Sequence, residues 1–206
     1  MLKLYSILIF ILLFAEINAQ TLNFERYGVG EGLSSNTVFS TVEDKDGFIW
    51  ISTDEGVDRF DGSKFKHYPL PNLYEYRTVN DVEYYLKIDS KNQIWLITLG
   101  GLLYKYDAKQ DQFVLFFKIR EESNQALYTF FIDHEDNLWF GMQNGVLVLN
   151  PTTKLFRRMP SIEQLVSAIV QDKENRYFLG TNNGILVLDS NQQFLYNLLE
   201  VKNQRI

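Results

Sequence analysis

The sequence DKDGFIWIST at residues 44–53 is the first of four stretches that follow one pattern. The others are DSKNQIWLIT at 89–98, DHEDNLWFGM at 133–142 and DKENRYFLGT at 172–181, so successive copies start 45, 44 and 39 residues apart. In every copy an aromatic residue stands six positions after the aspartate, and a glycine stands twelve positions after it. These pattern positions are Asp44, Trp50 and Gly56; Asp89, Trp95 and Gly101; Asp133, Trp139 and Gly145; and Asp172, Phe178 and Gly184. A fixed period of this size indicates stacked structural repeats.

The first copy predicts four short strands. Residues 37–43 and 48–53 are rich in β-branched and aromatic residues, and the polar turn Asp44–Gly47 separates them. The tripeptide Asp54-Glu55-Gly56 is a hairpin signal, and two more strands follow at 57–60 and 65–68. Each repeat of about 43 residues therefore predicts a four-stranded antiparallel meander, which is the blade of a β-propeller.

Packing explains why the aromatic position repeats. One four-stranded meander cannot bury both of its faces, whereas blades packed face to face bury the tryptophans between adjacent sheets. A β-sandwich also has short, evenly spaced strands, but it would not repeat Asp, Trp and Gly at fixed offsets. The sequence predicts an all-β propeller with about four blades and an incomplete ring.

The repeats divide the chain into six predicted segments. A lead-in at residues 20–36 contains Phe24–Tyr27, which resembles the outer strand Phe65–Tyr68 and is predicted to be a spare outer strand. The repeats follow at 37–81, 82–126, 127–165 and 166–206, and the chain is expected to end before the ring closes.

Residues 1–19 are predicted to be a cleaved signal peptide. Lys3 precedes an apolar run from Leu4 to Ala15, and Ile17-Asn18-Ala19 offers an imperfect cleavage site. The alternative, a membrane anchor, needs about 20 apolar residues, and this run is shorter. We therefore expect an exported, periplasmic chain with no membrane span apart from the signal peptide.

Composition excludes several classes of function. The chain has 206 residues, no cysteine and a net charge of -6. The absence of cysteine removes disulfide scaffolds, thiol nucleophiles and cysteine-ligated metals, and the negative charge argues against nucleic-acid binding. The two histidines, His67 and His134, occupy different places in their repeats, so we expect no catalytic residues, no metal site and no cofactor.

One family shares these motifs. Gly32-Leu33-Ser34, the pattern from Asp44 to Gly62 and the outer strand from Phe65 to Tyr68 resemble the two-component regulator propeller repeat. The chain looks like the opening of the exported sensor region of a Bacteroidetes-type hybrid two-component system. Later copies depart from the pattern: Ile97 stands where Ser52 or Gly180 would, Met142 replaces the threonine and Phe178 replaces the tryptophan.

The resemblance implies a larger receptor. Such sensors usually have further repeats, an immunoglobulin-like domain, a membrane helix that anchors them in the inner membrane, a histidine kinase module and often a DNA-binding output. The expectation is therefore that this chain is truncated or split before the kinase, or that it pairs with itself or with another fragment to close a ring.

Ligand contact is expected on the connections between repeats. The candidate residues are Tyr74, Tyr76, Arg77, Asn80 and Arg120, because aromatic faces beside hydrogen-bonding groups suit sugars. The alternative is that these connections are ordinary solvated loops. The preferred hypothesis is a non-catalytic sensory segment that binds a carbohydrate; the alternatives are an exported interaction scaffold, as a homodimer for example, and a propeller lyase or hydrolase.

Overall fold

The computed structural model of the chain describes residues 24–71, 83–123, 125–159 and 161–198. The predicted signal peptide lies outside these residues. Within them, none of the helices combines the length and the apolar character that crossing a membrane requires.

In the part of the chain that the structure describes, sixteen strands form four separate antiparallel sheets, each with its strands in sequence order. Sheet 1 contains β1 (Val38–Glu43), β2 (Ile49–Thr53), β3 (Gly56–Phe60) and β4 (Phe65–Tyr68). Sheet 2 contains β5 (Tyr84–Ile88), β6 (Ile94–Thr98), β7 (Leu102–Asp107) and β8 (Gln112–Lys118). Sheet 3 contains β9 (Leu127–Ile132), β10 (Leu138–Met142), β11 (Gly145–Asn150) and β12 (Leu155–Arg158). Sheet 4 contains β13 (Val166–Gln171), β14 (Tyr177–Thr181), β15 (Gly184–Leu188) and β16 (Phe194–Asn197).

Within the described residues, helical structure lies in two connections. A 3-10 turn at Val29–Glu31 precedes sheet 1, and the one-turn helix α1 (Ile119–Glu122) follows sheet 2. The all-β meander predicted from the repeat is confirmed, and the four sheets formed by the described residues do not close into a ring.

The tryptophans hold adjacent sheets together. Each lies on the second strand of its sheet and faces the next sheet: Trp50 packs between sheets 1 and 2, Trp95 between sheets 2 and 3, and Trp139 between sheets 3 and 4. Their exposed fractions are 1%, 3% and 0%. Phe178 occupies the same register on sheet 4, where no further described sheet covers it, and it is half-buried.

Residues 24–27 form no strand in the described structure. Phe24 is exposed, whereas the ring of Tyr27 lies 4.8 Å from that of Phe60, so this segment rests on the side of sheet 1 that faces away from sheet 2. A spare strand needs a sheet to complete, and the described residues contain no other candidate sheet. The spare outer strand therefore stays a prediction.

A small residue on the second strand sets how closely the next sheet approaches. Ser52 in sheet 1 donates a hydrogen bond of 2.5 Å to the backbone carbonyl of Tyr84 in sheet 2. Gly141 is the equivalent residue of sheet 3, and a Cβ added there would lie 2.5 Å from the backbone oxygen of Val166 in sheet 4 and 2.5 Å from Cγ2 of Thr129 on the neighbouring strand of sheet 3. Sheet 2 differs, because it carries the large residue Ile97 at this register. Its innermost strand, β5, also lacks the bulge that interrupts β1, β9 and β13.

We expect Gly141→Ala to lower the free energy of unfolding by about 2–3 kcal/mol, because overpacking a tight interface forces backbone shifts. Gly180→Ala is the matched control, since Gly180 has the same register on sheet 4 and an added Cβ would meet Ala168 Cβ at 3.2 Å. The control should cost less than about 1 kcal/mol. Urea unfolding measures both variants, and equal losses would contradict the close approach of sheets 3 and 4.

Candidate functional site

Each pattern aspartate joins a turn to the tryptophan six residues later. One carboxylate oxygen of Asp44 accepts the backbone N–H groups of Asp46 at 2.9 Å and Phe48 at 3.1 Å. The other accepts the indole N–H of Trp50 at 2.7 Å. Asp89 and Asp133 repeat the arrangement, with indole bonds of 3.0 Å and 2.7 Å. The aspartate therefore shapes the turn and also satisfies the one polar atom of a buried tryptophan.

Sheet 4 replaces this bond with a different donor. Phe178 has no ring N–H, and Arg176 donates from Nε to Asp172 Oδ2 at 2.8 Å instead. Burial opposes the shift, but the backbone N–H and the guanidinium of Arg176 together lower the pKa of Asp172. The aspartate keeps its backbone bonds to the turn, so the fourth copy preserves the turn while the buried indole is lost.

Neighbouring sheets also meet at these turns. In each pair, the residue after the aspartate contacts a side chain three positions after the next aspartate. Lys45 N donates to Asn92 Oδ1 at 2.8 Å, Ser90 N donates to Asp136 Oδ1 at 2.8 Å, and His134 Nδ1 lies 2.9 Å from Asn175 Oδ1. Asn92, Asp136 and Asn175 have φ of 61–64°, a conformation that Asn and Asp tolerate better than most residues. These turns form an inter-sheet clamp, which sequence reasoning had interpreted as turns alone.

The pattern glycines end the hairpins between the second and third strands. Gly56, Gly101, Gly145 and Gly184 all have positive φ, between 81° and 136°. This end of the sheets also carries the connections from one sheet to the next.

The histidines lie apart from one another. His67 Nδ1 lies 3.2 Å from Oδ1 of the buried Asp58 in sheet 1, whereas His134 belongs to the inter-sheet clamp. In the described part of the chain, no three histidine, aspartate or glutamate side chains gather as a metal-ligand group.

Alkaline pH should weaken the contact between sheets 3 and 4. Burial, together with the charge of Asp133, raises the pKa of Tyr177 to about 12, from an ordinary value near 10. The phenol is thus more easily ionised in the unfolded chain, so its stabilising effect is complete below pH 10 and is lost as the pH rises to about 12. Thermal unfolding across that range should show a steeper loss of stability in the natural chain than in Tyr177→Phe; identical slopes would contradict this assignment.

The predicted ligand residues fall into two groups. Tyr74, Tyr76, Arg77 and Asn80 lie outside the described residues. Arg120 is exposed on α1, whose backbone crosses the β6–β7 hairpin at Gly101. It borders a cleft of about 240 Å³, whose other lining residues are Gly100, Leu102, Lys118 and Glu121. We call this the Arg120 cleft.

A second cavity lies on the innermost strands, and sequence reasoning missed it. It has a volume of about 280 Å³ and is lined by residues of β1, β5 and β9. These are Ser40, Thr41, Val42, Tyr85, Leu86, Lys87, Tyr128, Thr129 and Phe130. We call this cavity the axial groove, because the first strands of successive blades surround the axis of a propeller.

Short stretches of the sequence match known proteins. The sequence model of the two-component regulator propeller family matches residues 32–55. Histidine kinase P4 of Formosa agariphila is 35% identical over 66 residues, which make up 31% of this chain and 5% of that protein.

Solved structures share the fold. The extracellular domain of one hybrid two-component system from B. thetaiotaomicron has a TM-score of 0.67 at 19% identity, over 86% of this chain and 24% of that one. A second such domain has a TM-score of 0.63 at 22% identity, over 84% and 26% of the two chains. Virginiamycin B lyase from Staphylococcus aureus gives 0.61 at 13% identity, over 80% and 56%.

This chain thus spans about a quarter of the length of the two extracellular domains. At such identities the structural matches establish the fold and leave the activity open. The resemblance seen in the sequence is confirmed: the chain carries a two-component regulator propeller repeat at residues 32–55 and has the β-propeller fold found in extracellular domains of hybrid two-component systems.

Proposed function

We propose that this chain is a non-catalytic sensory segment from the extracytoplasmic region of a two-component receptor. The match of residues 32–55 to the regulator propeller repeat carries the proposal. The likeness to extracellular receptor domains supports it, whereas the likeness to a lyase concerns the fold alone. The ligand is an oligosaccharide, and the signal is a shift between two receptor states that bind it with different affinities.

Calorimetric titration of the exported chain tests the ligand class. The probes are neutral tetrasaccharides of glucose, xylose, mannose and galactose, together with an acidic oligogalacturonide. Saturable binding of one or two members supports sugar sensing, and silence across the panel contradicts it.

Export is tested separately. Periplasmic fractionation followed by N-terminal sequencing should find a chain that begins near Gln20, beyond the predicted signal peptide. A periplasmic chain that retains Met1 would contradict cleavage, and a chain confined to the cytoplasm would contradict the sensory role.

The exposed face of sheet 4 favours a second candidate function, an interaction scaffold. Val170, Phe178 and Tyr196 lie in one row across the face that points away from sheet 3; Val170 is 56% exposed, Tyr196 is 44% exposed and Phe178 is half-buried. An exposed apolar row of this kind is a candidate interaction surface. In this alternative a second copy of the chain covers the face. Static light scattering that shows a dimer would favour it, and a stable monomer would contradict it.

A further inference from the structure

A bulge on strand β9 places Tyr128 in the axial groove. Leu127 pairs with Met142 and Thr129 pairs with Gly141, so Tyr128 is the extra residue between them. Bulges often re-aim a side chain near a functional site. The equivalent bulge residue of β1, Phe39, is half-buried and packs 5.9 Å from the ring of Tyr84, whereas Tyr128 is 43% exposed.

Hydrogen bonds fix the two tyrosines of the groove in advance. The hydroxyl of Tyr128 donates to Gln143 Oε1 at 2.7 Å, and that of Tyr85 donates to Glu83 Oε2 at 2.6 Å. A ring that is already positioned loses little freedom when a ligand stacks on it, so more of the contact energy appears as affinity.

The rest of the lining suits a ligand with many hydroxyl groups. Five of the nine lining residues carry hydroxyls, one is Lys87, and none of the nine carries a carboxylate. Ligand sites typically combine apolar and aromatic walls with a few polar groups that fix orientation. A saccharide matches both features, because a sugar ring has an apolar face for stacking and hydroxyl edges for hydrogen bonds. The Arg120 cleft has no aromatic residue among its lining residues.

We propose that the axial groove is the saccharide-binding subsite of this chain, with Tyr128 as the stacking platform. The proposal rests on the proposed sensory function and names its site. Thr41, Lys87 and Thr129 also line the groove, and in this proposal they contact the hydroxyl edge of the sugar.

The test measures binding of the neutral tetrasaccharides by calorimetry in the natural chain, in variants of Tyr128, in a matched tyrosine control and in Arg120→Ala. Tyr128→Ala removes the platform and should raise the Kd at least tenfold for the saccharide that the natural chain binds. Tyr128→Phe keeps the ring and should change the Kd by less than about threefold. Tyr128→Leu keeps apolar bulk without an aromatic face; it should raise the Kd as the alanine variant does, and it serves in place of that variant should the alanine chain fail to fold. Tyr27→Ala is the matched control, because it removes an equally exposed tyrosine (44%) from the lead-in beside sheet 1, away from the groove.

Failure of this proposal differs from failure of the proposed function. Undiminished binding by Tyr128→Ala, with loss in Arg120→Ala, would move the ligand to the Arg120 cleft while sugar sensing stands. Equal losses in Tyr128→Ala and Tyr27→Ala would also overturn the groove. Absence of binding by the natural chain would overturn both the groove and sugar sensing.

Discussion

Replacing Gly145 by alanine is expected to lower the free energy of unfolding by about 4 kcal/mol, from backbone strain and crowding together. Gly145 has a φ of 99°, in the left-handed region where a Cβ costs about 1–2 kcal/mol. In addition, a Cβ at Gly145 would lie far inside contact distance of the backbone carbonyl of Ile162. That carbonyl belongs to the connection between sheets 3 and 4, so relief of the clash would displace a buried segment.

Gly47→Ala separates the two causes. Gly47 also has a positive φ, 82°, but an added Cβ there would meet no atom within 4 Å. The control should therefore lose about 1–2 kcal/mol, the strain alone. Urea unfolding followed by circular dichroism gives both values. A loss in Gly145→Ala no larger than in Gly47→Ala would show that the carbonyl of Ile162 yields freely.

The repeat glycines show what the sequence could predict and what it could not. A glycine twelve residues after each pattern aspartate predicted a hairpin turn, and the backbone is left-handed at all four glycines. The crowding at Gly145 depends on where the chain passes after the fourth strand, and no local pattern contains that information. The sequence therefore predicted the conformation of the turn but not how much unfolding free energy a substitution of Gly145 would cost.

The aspartate and the tryptophan were interpreted separately, one as a turn residue and the other as a packing residue. Their constant spacing of six has a single cause, because the turn brings the carboxylate onto the indole N–H. The fourth copy points to the same cause: where the indole is lost, Arg176 supplies the donor. A fixed spacing between a carboxylate and an indole was thus a usable signal.

The axial groove was missed for a different reason. The bulge that exposes Tyr128 depends on how two strands pair, and the sequence contains it only as a difference in spacing. Leu127 stands six residues before Asp133, whereas Tyr84, which has the same pairing position in a strand without a bulge, stands five before Asp89. The sequence analysis placed its five candidate sugar-binding residues on connections, because loops commonly carry function. Four of these five residues lie outside the described residues.

Removing the buried carboxylate of Asp133 should lower the free energy of unfolding about as much as Gly145→Ala does. Asp133 is 3% exposed and accepts hydrogen bonds from the turn, from the indole of Trp139 at 2.7 Å and from the hydroxyl of Tyr177 at 3.2 Å. These two rings stack at 4.4 Å between sheets 3 and 4. Asp133→Ala leaves both polar atoms buried without this acceptor, and each such loss costs about 1–3 kcal/mol.

We therefore expect Asp133→Ala to lose about 4 kcal/mol of unfolding free energy, with Asp172→Ala as the matched control. Asp172 holds the same turn in sheet 4, but its side chain is 23% exposed and its partner Arg176 is 42% exposed, so the released donors can bind water. The control should lose only about 1 kcal/mol. Urea unfolding followed by circular dichroism compares the two variants. Equal losses would place the whole effect in the turn and would remove the buried Asp–Trp bond from the account of how sheets 3 and 4 are held together.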